Sequence, residues 1–158
     1  MSLDYDRRRR LEALYDRYAE LLDDGPLEAW PALFTESCTY LVQPRDNFDA
    51  GLPLAIMRCE SRGMLMDRVR SVQETIMHEP RYLRHQITNI REQQRDTGEL
   101  DVVASYLVVE VLPDELPRIL SVGRYLDRVV EEGDDFLFAE KRVVYDSVLV
   151  PNTIVYPL

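Results

Sequence analysis

His78 and His85 are the only histidines in the 158 residues, and each sits where a different chemistry could use it. His85 falls in a run at 82–94 whose β-branched and aromatic residues predict a strand. On that strand it shares a register with Leu83, Ile87 and Asn89, so its imidazole points to the apolar side. Histidine is the side chain whose ordinary pKa lies near neutrality, which suits proton transfer. Paired with a carboxylate such as Asp24, and with Tyr40 polarising the substrate, it could serve as the general base of a lyase or isomerase. The residue types favour a plainer role, a hydrogen-bonded core histidine that anchors the sheet, because buried polar groups mostly satisfy one another. His78 stands near a predicted helix end, where a cation offsets the helix dipole, and reads as a surface residue.

Metal chemistry has little to build on. Cys38 and Cys59 have no second Cys or His at the short spacing that lets one loop or helical turn present two ligands, so two free thiols are expected. A Rieske-type iron–sulfur cluster needs two Cys and two His, and neither Cys-x-His nor Cys-x-x-His occurs in the chain. A mononuclear iron would need two His and a carboxylate on one face, whereas His78 and His85 straddle Pro80 and a predicted change from helix to strand. No Gly-rich phosphate loop, nucleophile elbow or zinc-protease helix is present.

These residues have to be positioned by one domain, 1–158, long enough to bury a continuous core without staples. Acidic residues outnumber basic ones by 29 to 19 and leave a net charge of −10, which argues against nucleic acid or an anionic membrane as partner. No apolar run approaches the roughly 20 residues of a membrane span, and the start of the chain lacks a signal peptide's apolar stretch. A cytoplasmic protein is expected.

Leu11, Leu14, Tyr15, Tyr18, Leu21 and Leu22 recur at helical spacing until Asp23-Asp24-Gly25-Pro26 stops them, which predicts a first amphipathic helix. Arg7 to Arg10 lie among acidic residues and read as a solvated helical face. A strand is predicted at 38–42, a loop at 45–53 and a second helix at 58–76 with Leu65, Val69, Val72 and Ile76 inward. One of Met64 and Met66 is expected in the core. Trp30, Pro31 and Phe34 read as an aromatic staple between helix and sheet. Strands at 82–94, 100–112, 118–131 and 136–150, separated by Asp96-Thr97-Gly98, Pro113-Asp114-Glu115 and Glu132-Gly133-Asp134, predict an antiparallel meander. The fold class is therefore α+β, with N-terminal helices packed on a curved antiparallel sheet. This order is similar to the cone-shaped cystatin-like fold of scytalone dehydratase, ketosteroid isomerase and nuclear-transport-factor-like proteins, a shape that hosts enzymes, carriers and structural subunits alike.

The segment Trp30-Pro31-Ala32-Leu33-Phe34-Thr35-Glu36-Ser37-Cys38-Thr39-Tyr40 resembles the Trp-Pro-x-x-Phe-Thr-x-x-Cys-x-Tyr opening of the small (β) subunits of Rieske-type aromatic-ring-hydroxylating dioxygenases. Asn47 to Leu54, Cys59 to Leu65, Asp67-Arg68-Val69, Glu79, Arg81-Tyr82, Arg84-His85 and Thr88-Asn89 continue the likeness. Gly123 to Arg128, Phe138 to Ser147 and Val150 to Leu158 complete it. The loop and second helix are most similar to the branch acting on aromatic carboxylates, such as salicylate 5-hydroxylase and terephthalate dioxygenase.

The resemblance implies a three-plus-three complex in which a Rieske-type large (α) subunit carries the [2Fe-2S] cluster and the mononuclear iron. Electrons would arrive from an NAD(P)H-dependent reductase, and the small subunits would form a trimeric, non-catalytic base. No cofactor, metal or catalytic residue is implied for this chain. Arg124, Arg128, Arg142 and Asp127 are candidates for interface ion pairs, though alternating charges on a solvated sheet face account for them equally well. The run from Val148 to Leu158 is too apolar for a free tail. It must dock on its own sheet or on another subunit, and part of it is expected at an interface, so that deleting Thr153 to Leu158 would weaken assembly and leave the monomer folded.

Overall fold

The computed structural model describes residues 2–74, 81–147, 149 and 156–158. Helix α1 (Ser2–Asp23) buries Leu11, Leu14, Tyr15, Tyr18, Leu21 and Leu22, the stripe that its spacing requires. Gly25 ends it. At φ +79° it occupies the left-handed region, and the Asp24 and Gly25 N–H groups bond back to the Glu20 carbonyl at 2.8 and 3.2 Å. A 3-10 helix (Leu27–Leu33) then carries the fully buried Trp30, whose ring meets Phe34 at 5.2 Å and Tyr40 at 5.3 Å edge to face, as the staple reading expected.

The strands are β1 (Phe34–Pro44), β2 (Met57–Cys59), β3 (Tyr82–Gln94), β4 (Leu100–Val111), β5 (Arg118–Glu132) and β6 (Asp135–Tyr145). They form a six-stranded sheet in the order β2-β1-β6-β5-β4-β3. Strands β3 to β6 pair antiparallel as the expected meander. Strand β1 lies parallel to β6, with Tyr40 opposite Lys141 and Val42 opposite Val143. This pairing was not anticipated, because nothing in a strand's own periodicity tells which distant strand it joins. The sheet wraps around the apolar stripe of α1 and closes a cone whose interior is filled by aromatic side chains.

Several boundaries differ from expectation: β1 extends beyond 38–42 at both ends, and β6 ends at Tyr145, leaving Asp146 and Ser147 outside the strand expected there. Arg58 and Cys59 belong to β2 rather than to the second helix, which is α3 (Arg62–Glu74); Leu65, Val69 and Val72 are its buried face. Met64 and Met66 are both exposed, against the expectation that one would be core, because they flank Leu65 on the solvent side of the helix. The loop at 45–53 contains a short helix, α2 (Arg45–Asp49). Ile76, His78 and Glu79, and Thr153 to Val155, lie outside the described residues.

Gly123 has a steric reason to be glycine. A Cβ there would meet the Val144 carbonyl oxygen at 2.0 Å, since β5 and β6 approach closely where Gly123 pairs with Tyr145.

Candidate functional site

Of the three residues that a lyase-like site would need, the structure brings His85 and Tyr40 into the cone interior and leaves Asp24 outside it. Asp24 follows the last turn of α1, is exposed, and pairs with Arg84 on the surface at 2.7 Å. The carboxylate beside His85 belongs to Asp23. Its Oδ1 lies 2.6 Å from His85 Nδ1, and its Oδ2 accepts the His85 backbone N–H at 2.8 Å. The imidazole is fully buried and its Nε2 meets no hydrogen-bonding partner. Asp23 thus fixes β3 to the end of α1 through one side chain, a structural clamp of the kind the core-histidine reading describes.

Tyr40 is committed to the chain's own backbone. Its Oη accepts the Leu158 N–H at 2.9 Å and lies 3.2 Å from the Leu158 carbonyl oxygen, which Tyr18 Oη also approaches, at 2.5 Å. Leu158 is completely buried in the core. Of the run 148–158, the final residue thus takes one of the two expected placements, within its own cone, so deleting Thr153 to Leu158 would remove a core residue and not leave the monomer undisturbed as expected. Burial pushes both tyrosine hydroxyls above the ordinary range, so each acts as a neutral hydrogen-bonding group.

Sequence reasoning missed the most unusual group in the interior. Lys141 is fully buried, with Nζ 2.9 Å from Asp127 Oδ2 and 3.5 Å from the Tyr125 ring centroid. The rings of Tyr18, Phe138 and Tyr15 surround the same ammonium at 4.3, 4.5 and 5.0 Å, and Tyr15 donates to Asp127 at 2.5 Å. Burial lowers the Lys141 pKa to about 8 against the pull of Asp127, and burial raises that of Asp127 against the pull of Lys141. Asp127 is therefore no interface residue on a solvated face. It alternates with Tyr125 and Val129 on the inward side of β5, whereas Arg124 and Arg128 point outward.

A second buried charge, Glu110, ends the inward row of β4 and is held by Arg81 at 2.6 Å and Arg118 at 2.7 Å. Cys38 and Cys59 are free and buried; burial raises both thiols, Cys38 to about 11, so neither is an activated nucleophile at neutral pH. Among the described residues no three His, Cys, Asp or Glu side chains converge as a metal site would need. No described helix is long and apolar enough to cross a membrane.

The arrangement offers one imidazole tied to a carboxylate and two tyrosines tied to backbone, inside a packed interior. Residues 17–152 match the ring hydroxylating beta subunit family. The small subunit of anthranilate 1,2-dioxygenase from Burkholderia cepacia is 35% identical over 92% of this chain and 90% of its own length. A beta subunit of the terminal oxygenase component of terephthalate 1,2-dioxygenase from Comamonas is 27% identical over 94% of this chain and 97% of its own. Among solved structures, the beta subunit of an aromatic-ring-hydroxylating dioxygenase from Novosphingobium aromaticivorans superimposes with a TM-score of 0.89 at 30% identity, covering 99% of each chain. By sequence and by fold together, this chain belongs to the ring hydroxylating beta subunit family.

Proposed function

We propose that this chain is the non-catalytic assembly subunit of a multicomponent dioxygenase that oxidises aromatic compounds, with aromatic carboxylates as the substrate class. The observation that carries the reading is the family match across 17–152 in a chain whose interior polar groups serve its own fold. The relatives named for anthranilate and terephthalate support the carboxylate class. The partner is a Rieske-type large subunit that holds the [2Fe-2S] cluster and the mononuclear iron, supplied with electrons by an NAD(P)H-dependent reductase. The small subunits associate as a trimer within a three-plus-three complex in the cytoplasm.

The outer face of the sheet supports an assembly role. Tyr82, Ile119 and Val122 are exposed there on β3 and β5, on either side of the outward residues Leu107, Val109 and Val111 of β4. A strand that is apolar on both faces is normally covered on both. The test is to express the cognate large subunit with and without this chain and assay oxidation of anthranilate, benzoate and terephthalate. Activity that needs the chain, while the iron stays with the large subunit, is the expected result. Turnover of any of these by the chain alone would overturn the reading.

A further inference from the structure

Arg124 is a cation without a counter-charge on the outer face of the sheet. Among the described residues it makes no ion pair, and its Nε is buried without a hydrogen-bonding partner. Its outward neighbours Arg128 and Arg142 each hold a carboxylate, Glu99 at 3.0 Å and Glu140 at 2.9 Å. Arg124 instead stands opposite Ser105 on β4 and Val144 on β6, with Val122 and Leu126 on either side of it along β5. Asp146, whose N–H bonds the Val122 carbonyl, pairs with Arg45 at 3.4 Å. A guanidinium set among apolar side chains is a strong site for a carboxylate that arrives with apolar neighbours of its own.

The chain carries a segment of matching chemistry. The turn between β4 and β5, Leu112 to Pro117, is closed by the Glu115 N–H on the Leu112 carbonyl at 3.2 Å and stiffened by Pro113 and Pro117. It presents Leu116, 86% exposed, beside Asp114 and Glu115, neither of which makes an ion pair among the described residues. This turn cannot reach the Arg124 of its own chain, because six residues of extended β5 separate Arg118 from Arg124, roughly 20 Å at about 3.3 Å per residue.

We infer that the β4–β5 turn of a second copy of this chain docks on the outer sheet face, with Leu116 against Leu107 and Val122 and with the Asp114 and Glu115 carboxylates supplying the counter-charge of Arg124. A contact between two different patches is heterologous, so it closes into a ring or runs on as a filament. The inference deepens the assembly reading and rests on it for the ring size of three.

Sedimentation velocity of the full chain, with amide NMR dispersion as the folding control, tests it by charge reversal. The wild type should self-associate. Arg124→Glu should weaken association at least about tenfold, as should Asp114→Lys with Glu115→Lys, and all three changes together should return it to within about threefold of the wild type. If Arg124→Glu loses its folded dispersion, Arg124→Met takes its place and should weaken association about tenfold, with nothing further lost when Asp114→Asn and Glu115→Gln are added. A monomeric wild type, single reversals without effect, or losses that add when combined would each overturn the inference. Reversals that weaken co-purification with the cognate large subunit and leave self-association intact would overturn the second copy as the occupant. A wild type that self-associates, follows the charge cycle and yet binds no large subunit would support this contact and overturn the assembly reading alone.

Discussion

Asp23 grips His85 at two points, the backbone N–H at 2.8 Å and the ring Nδ1 at 2.6 Å, and so ties the last turn of α1 to β3. A group used this way matters to folding more than to turnover. His85→Ala should lower unfolding free energy by about 1–3 kcal/mol, the usual cost of leaving a buried carboxylate without its partner. Turnover per assembled complex should be unchanged. Urea denaturation and steady-state assays of the reconstituted oxygenase check this; a variant that folds normally and has lost turnover would contradict it.

Lys141 and Asp127 should behave as one unit. Lys141→Met leaves the Asp127 carboxylate fully buried without its counter-charge, with the Tyr15 hydroxyl still donating to it, and should cost about 3–5 kcal/mol. Adding Asp127→Asn should recover a large part of that loss. A double-mutant cycle on unfolding free energies gives the coupling, and additive losses would mean that the pair does not interact.

The same lysine predicts a pH dependence. Its folded pKa of about 8 lies below the ordinary 10.5, so between those values the unfolded chain binds more protons than the native one. Stability contributed through Lys141 therefore rises as pH climbs from about 8 toward 10.5. Denaturation at pH 7.5, 9 and 10 should show this rise in the wild type relative to Lys141→Met, and parallel curves would contradict it.

Ile119→Asp and Val122→Asp place a charge on the outer apolar face without touching the core. Each should change monomer stability by no more than about 0.5 kcal/mol, yet reduce association measured by sedimentation velocity. Intact assembly in both variants would remove this face from the interfaces.

Much of the scaffold could be read from periodicity. The six apolar positions of α1 and the alternation along β4 and β5 reappear as buried rows, whereas on β3 the alternation holds only to Ile87, and Asn89, expected on the inward side, is exposed at φ +54° where the register shifts. Lys141 escaped notice because β6 changes parity. Phe136 and Phe138 face inward, then a register shift opposite Arg128 and Val129 adds a residue, and Lys141, Val143 and Tyr145 become the inward set. Asp127 was legible, since it shares the parity of Tyr125 and Val129, but a charged residue on a strand suggests solvent unless its counter-charge is known. Asp23 and Asp24 could not be told apart as partners of His85, because one residue at a helix end decides which carboxylate faces the sheet. The burial of Leu158 depends on hydroxyls more than a hundred residues away, and no local pattern carries it.

Native mass spectrometry of this chain, alone and co-expressed with its cognate large subunit, tests the central claim most directly. The account predicts an assembly containing three copies of each chain, with iron bound only when the large subunit is present. A chain that stays apart from the large subunit, or that carries iron by itself, would contradict it.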